Sequence, residues 1–195
     1  GIPVVCIDRA PENDLGFPHV GSDNIGGGYM ATEHLIERGC KDILSISSFT
    51  ANYPGNERQM GYERALAAHG MPLRRDYQLF VSGKQPSIIE SEELVTDFLS
   101  TGYPVDGIFA HSDHAAVGAL RALVAAGKRV PEDVRLIGFD DSVYAQLPTP
   151  QISTIRRFPE RLAHEGCQAL LALLRGEEPE METLVPVKLV QRASS

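Results

Sequence analysis

Short apolar runs and helical patterns alternate along most of the chain. Ile2 to Ile7 is a nearly continuous apolar run that stops at Asp8-Arg9, and it predicts a buried strand. Asp23-Asn24 suits a helix cap. The helix predicted after it carries Ile25, Tyr29, Leu35 and Ile36 at helical spacing and stops at Gly39. Ile43 to Ser48 predicts the next strand, and Glu57 to His69 the next helix, closed by Gly70 and Pro72. Strands over 77–81, 107–110 and 134–139 then alternate with helices over 90–100 and 113–126. In the last of these helices Ala116, Val117, Leu120 and Leu123 share one side. Such alternation implies parallel βαβ units.

After Asp141 the rhythm changes. A loop marked by Pro148 and Pro150 leads into an extended stretch, Ile152 to Ile155. A helix over 159–174 opens with Pro159, a loop covers 176–179, and Thr183 to Val190 reads as one terminal strand. Sheets usually hold about four to six strands. Ile43–Ser48 either completes the doubly wound unit built by 77–139 or joins Ile2–Ile7 in the first section, so the first lobe is expected to lack its opening βα units and to carry a sheet edge that is exposed or covered by another chain segment. There is no initiator Met, and the chain reads as cut from something longer.

Composition narrows the function classes. The formal net charge of −8 argues against this segment gripping a phosphate backbone, which needs clustered Lys and Arg. The chain has no apolar run long enough for a membrane span and no secretory signal pattern at its start. Cys6, Cys40 and Cys167 are far apart and lack metal-ligand spacing, which suits small buried hydrophobes in a reducing cytoplasm. No cofactor is implied.

Several motifs carry candidate chemistry. In open α/β sheets, ligands bind beyond the carboxyl ends of the strands. Asp8, Ser112-Asp113 and Asp140 each follow a predicted strand and would face such a crevice. Carboxylates there accept hydrogen bonds from sugar hydroxyls or a base N–H, and Arg58 could supply the opposing donor fork. Asp113 alternatively caps its helix, and of the pair Asp140-Asp141 the second reads as a turn acceptor. His111-Ser112-Asp113-His114 lacks the third ligand of a catalytic metal site, and no G-x-S-x-G elbow accompanies it, so the chain is not read as an enzyme. Gly26-Gly27-Gly28 lacks the Lys-Ser/Thr of a phosphate loop and reads as a close-packed helix start.

Six segments in order resemble the LacI/GalR (lactose-repressor/galactose-repressor) family of transcriptional regulators. Pro3-Val4-Val5-Cys6-Ile7-Asp8-Arg9 is similar to its P-V-V-x-I-D-R strand, and Asp23-Asn24 through Gly39 to its D-N-x-x-G…H-L-I-x-x-G helix. Arg58-x-x-Gly61-Tyr62-x-x-Ala65-Leu66, Ser112-Asp113 through Leu120, Val130-Pro131 through Asp141, and Leu189-Val190-x-Arg192-x-Ser194 match further family segments. Cys40 stands where the family usually has His, Gln151-Ile152-Ser153-Thr154 departs in part from a P-x-[LT]-T-T region, and Arg157 occupies a position that is often Gln.

The resemblance implies an effector-binding core without its helix-turn-helix headpiece. The fold would be periplasmic-binding-protein-like, with two doubly wound parallel-sheet lobes, the first incomplete at its N-terminus. The expected division is 1–47 in the first lobe, 48–152 in the second, 153–182 returning to the first and 183–195 to the second. Connections would cross near Ser47–Ser48, Ile152–Thr154 and 183–186. A sugar or sugar phosphate, or else a nucleoside, would bind between the lobes and alter operator affinity. DNA would be reached only through the headpiece, and the protein would work as a cytoplasmic homodimer, with the small residues Ala115, Ala116, Gly118 and Ala119 of the 113–126 helix permitting close approach in its interface, although part of that face packs on its own sheet in any case. Carried over by position, Asp8, Arg58, Ser112, Asp140 and Arg157 are the ligand contacts, and Asn52 and Tyr53 are weaker candidates on a loop of variable length. The alternatives are a free-standing sugar-binding protein of the same fold, or a small flavodoxin-like enzyme acting through Asp140 or His111.

Overall fold

Both faces of the central strands are apolar, and both are covered by helices. The computed structural model describes residues 2–10, 16–48 and 54–195. Its larger sheet has six strands: β3 (Ile43–Ser48), β4 (Gln78–Val81), β5 (Gly107–Ala110), β6 (Arg135–Asp140), β7 (Ser153–Arg156) and β9 (Lys188–Val190). They lie in the order β4-β3-β5-β6-β7-β9 and are parallel except for β7 with β9. Because side chains alternate along a strand, Leu44, Ile46, Ile108, Ala110 and Leu136 point to one side. There they meet α3 (Ser87–Ser100) and α4 (Asp113–Ala125) through Val95, Phe98, Leu120 and Leu123. Ile43, Phe109, Ile137, Phe139 and Ile155 point to the other side, against α1 (Asn24–Glu37) and α2 (Pro54–Ala68) through Ala31, Leu35, Tyr62 and Leu66.

A smaller lobe holds three parallel strands in the order β1-β2-β8: β1 (Cys6–Ile7), β2 (His19–Ser22) and β8 (Glu182–Val185). The helix α6 (Pro159–Leu174) packs on it, with Leu162, Val20 and Val185 forming its core beside Val5 and Phe158. A short helix, α5 (Val143–Gln146), follows β6.

The expected division between lobes changes in three places. The segment 24–48 belongs to the larger lobe, because β3 is central there, paired to both β4 and β5. The stretch Ser153–Arg156 also stays in the larger lobe, as β7 beside β6. The single strand expected over 183–190 is two strands, one in each sheet, and Pro186, which has no N–H for a ladder, lies between them. The chain therefore crosses at 22–24, 156–159 and 185–188; of the three expected crossings only the last agrees. The first lobe gains a strand, β2, that the apolar pattern did not signal, and β1 and β8 form its edges.

The small residues of α4 are used inside the chain. Ala115, Ala116 and Ala119 are fully buried, and Gly118 lies so close to α3 that a Cβ there would sit 2.2 Å from the Ile88 carbonyl oxygen. Backbone proximity also sets the α1–α2 pair: a Cβ on Gly28 would lie 2.1 Å from the Arg58 carbonyl oxygen, and one on Gly61 2.2 Å from that of Ile25. This close approach holds Arg58 over the end of the sheet. Gly61→Ala is expected to force the helices apart and cost about 2 kcal/mol, outweighing the better helix propensity of Ala. A urea midpoint equal to the wild type's would contradict this.

Candidate functional site

The carboxyl ends of both sheets open onto one cleft of about 720 Å3. Its walls include Asp8 and Arg9 after β1, Arg58 of α2, Ser112 after β5, Asp140 at the end of β6 with Asp141 and Ser142 after it, and the run from Arg156, at the end of β7, to Glu160 in the first turn of α6. The five predicted ligand contacts within the described residues, Asp8, Arg58, Ser112, Asp140 and Arg157, are thus brought together. Asn52 and Tyr53 lie outside the described residues.

Arg58 is only 4% exposed, so its charge needs partners on every side. Its Nε donates to Asn24 Oδ1 at 2.9 Å and its Nη1 to the His111 carbonyl at 2.5 Å. Its Nη2 lies 3.4 Å from Asp140 Oδ1, and the guanidinium sits 3.7 Å above the centre of the Phe139 ring. Asn24 in turn donates to Glu57 at 2.8 Å. Residue pattern alone assigned Asn24 to a cap. The cap is Asp23, which accepts from the Gly26 N–H at 2.8 Å, and Asn24 is free to orient the arginine.

Arg157 stands between the lobes. Its Nη1 donates to Asp8 Oδ1 at 2.8 Å, and its Nε lies 3.5 Å from Asp140 Oδ1. Burial raises the Asp140 pKa above the ordinary carboxylate value, while Arg58 and Arg157 pull it back down. Asp8, Asp140 and Asp141 all have positive φ, at 71°, 111° and 55°. Backbone in that region is held against its preference and clusters at functional sites.

The remaining polar groups divide between site and scaffold. Ser112 lines the cleft and also caps α4, accepting from the Ala115 N–H at 3.2 Å. Asp113, expected as the cap, is instead fully buried: it accepts from Thr154 Oγ1 and from the Ser142 N–H, both at 2.6 Å. It thereby ties β7 and the loop after β6 to the start of α4. Asp141, read from the sequence as a turn acceptor, accepts instead from the guanidinium groups of Arg156, at 2.5 Å, and Arg192. This explains the closing Leu189-Val190-x-Arg192-x-Ser194 motif. Arg192 also donates to the Ile152 carbonyl at 2.8 Å, and Ser194 to that of Leu136 at 2.5 Å, which fastens the end of the chain to β6 and β7. Arg9, Ser142, Arg156, Phe158 and Glu160 complete the walls. Of these, Arg9, Arg156 and Phe158 are sequence neighbours of the carried-over residues, and that adjacency was the available signal. Among the described residues no cluster of His, Cys, Asp and Glu could hold a metal ion, and no helix is long and apolar enough to cross a membrane.

Asp113 and His111, either side of Ser112, respond to pH in opposite senses. Burial pushes Asp113 up to about 6, although Thr154 and Ser142 favour its ionised form, and burial pushes His111 down to about 4. The folded chain holds the Asp113 proton more tightly than the unfolded one, so this group lowers stability as pH rises from about 3.8 to about 6. The folded chain holds the His111 proton less tightly, so this group lowers stability as pH falls from 6.5 to about 4. Each lever is on the order of 3 kcal/mol, and in the shared range they offset one another. Asp113→Asn removes one lever, so its stability should fall more steeply between pH 6 and 4.5 than the wild type's. Parallel urea midpoints for the two proteins across that range would contradict the assignment.

The sequence pattern of the periplasmic binding protein-like domain matches residues 32–195. The probable HTH-type transcriptional repressor ExuR of Bacillus subtilis (strain 168) is 31% identical over 184 residues, 94% of this chain and 54% of that protein. The HTH-type transcriptional regulator CelR of Thermobifida fusca is 35% identical over 193 residues, 97% of this chain and 54% of that protein. The solved transcriptional regulator CelR-cellobiose complex superposes with a TM-score of 0.84 at 33% identity, over 93% of this chain and 56% of that one. The ribose import binding protein RbsB of Escherichia coli (strain K12) is 29% identical over 198 residues, 97% of this chain and 63% of that protein. The chain spans about half the length of the curated regulators ExuR and CelR. By these matches and by its fold, the chain belongs to the periplasmic binding protein-like domain family, in the form found in LacI/GalR-type regulators.

Proposed function

We propose that the chain is the effector-binding core of a LacI-type transcriptional regulator and takes a sugar in the cleft between its lobes. The observation that carries this reading is the pair of carboxylates, Asp8 from the smaller lobe and Asp140 from the larger, presented into one cleft with two guanidinium groups beside them. Carboxylates accept from sugar hydroxyls, guanidinium groups donate to hydroxyl and ring oxygens, and Phe158 in the wall offers an apolar face to a sugar ring. The likeness to CelR, solved with cellobiose, supports a saccharide ahead of a sugar phosphate or a nucleoside.

In this reading a bound sugar favours one arrangement of the lobes. Operator affinity shifts only by the sugar's differential affinity for the two arrangements. DNA contact falls to a headpiece elsewhere in the whole protein, in keeping with the net charge of −8 here. The whole protein acts in the cytoplasm as a homodimer and catalyses nothing. The likeness to RbsB supports a second reading, a solute-binding protein that serves import. A sugar-dependent change in operator affinity of the whole protein separates the two.

Thermal melts with cellobiose, glucose, ribose, their phosphates and nucleosides identify the ligand class, since a ligand at 100 times its Kd adds about 2.7 kcal/mol. Asp140→Ala should weaken binding of the stabilising compound at least about tenfold, roughly 1.4 kcal/mol, by calorimetry. Wild-type affinity in a folded Asp140→Ala protein would overturn the site. Arg58 is a poorer probe, because its removal also strips partners from Asn24, the His111 carbonyl and the Phe139 face.

A further inference from the structure

We propose that Arg157 is a clasp that holds the two lobes together while the cleft is empty, and that a ligand must displace it. Outside the three crossings, the strands and helix of the smaller lobe make few contacts with those of the larger. The lobes are therefore free to hinge unless something fastens them across the cleft. Arg157 sits on the second crossing and reaches both rims: Asp8, at the end of β1, at 2.8 Å, and Asp140, at the end of β6, at 3.5 Å. Both carboxylates stand on backbone with positive φ, a conformation that persists only where surrounding contacts over-determine it. One guanidinium shared by two such residues supplies a contact of that kind from the cleft side.

The residue type matters. A neutral amide in place of Arg157 could not pair electrostatically with two carboxylates, so the clasp depends on this side chain and not on the fold alone. Arg157 is 18% exposed, Asp8 38% and Asp140 31%, so solvent and salt reach the cluster and keep each pair weak. Weak pairs suffice for a hinge with little else to hold it, since up to about 1 kcal/mol moves a two-state population about fivefold. The same exposure makes the clasp releasable by ligand hydroxyls, which compete for the same carboxylate oxygens. That consequence for binding rests on the cleft being the sugar site; the fastening of the lobes does not.

The test is therefore run without ligand. Spin labels are placed on the exposed Cys167 of α6 and on Asp97→Cys of α3, in a Cys6→Ser background; Cys40 is buried with its thiol pushed up to about 12 and stays unlabelled. Interlobe distances are read by pulsed electron resonance. In low salt the Arg157-containing protein should give one narrow distance. Arg157→Gln and Asp8→Asn should each broaden it, with the longer-distance population rising about fivefold. Molar salt should broaden the Arg157-containing protein likewise and leave Arg157→Gln unchanged. Distances in both variants that superpose on those of the Arg157-containing protein overturn the clasp, as does an Arg157-containing protein already as broad as the variants. Asp8→Asn removes the bridge from its other side, so the result stands even if Arg157→Gln fails to fold.

Discussion

A guanidinium charge buried at the end of a parallel sheet imposes conditions on everything around it. Arg58 is taken out of water, and its hydrogen-bond donors and its flat face must all find partners. Asn24 answers from the start of α1, the His111 carbonyl from the end of β5, and Phe139 and Asp140 from β6. These groups are far apart in sequence and meet only if β3, β5 and β6 are adjacent and α1 and α2 touch backbone to backbone. The glycines of the α1–α2 contact, the order of the strands and the composition of the cleft wall are thus linked through one side chain.

From that anchor the site extends outward in decreasing order of burial. Asp113 and Thr154 lie beneath the cleft and fix its floor, with Asp141 held from the side by Arg156 and Arg192. Asp140 forms the rim of the larger lobe, and Asp8 that of the smaller. Groups toward the floor are buried and paired within the chain, whereas the carboxylates at the rim are paired but partly exposed. A recognition site needs this gradient: rigid support beneath, and replaceable contacts where the ligand enters.

The larger lobe was legible because its strands are apolar on both faces and separated by well-marked helices, so period and punctuation agree. The smaller lobe was not. His19-Val20-Gly21-Ser22 holds one aliphatic residue and follows Pro18, so nothing local marks it as a strand; its pairing with β1 and β8 forms it. Nor does a strand's apolar pattern say which sheet receives it, which is why Ile43–Ser48 was assigned to the wrong lobe. Asp8, Arg58, Ser112, Asp140 and Arg157 were found because strand ends and family-like motifs coincide at them. Asn24 was missed because its neighbour Asp23 explained the Asp-Asn pair as a cap, and only the packing of α1 against α2 brings it to Arg58.

The three aspartates with positive φ set a limit on improving this chain. Glycine would adopt the same backbone at no steric cost, but at Asp141 it would strip Arg156 and Arg192 of their shared acceptor, and at Asp140 it would take a carboxylate from the buried Arg58 charge. Of the three, Asp8 differs, because its ion pair with Arg157 is partly exposed and contributes little, so relief of the backbone can outweigh it. Stability and recognition draw in opposite directions at that position, where selection for robustness alone would remove a carboxylate from the cleft while keeping the fold.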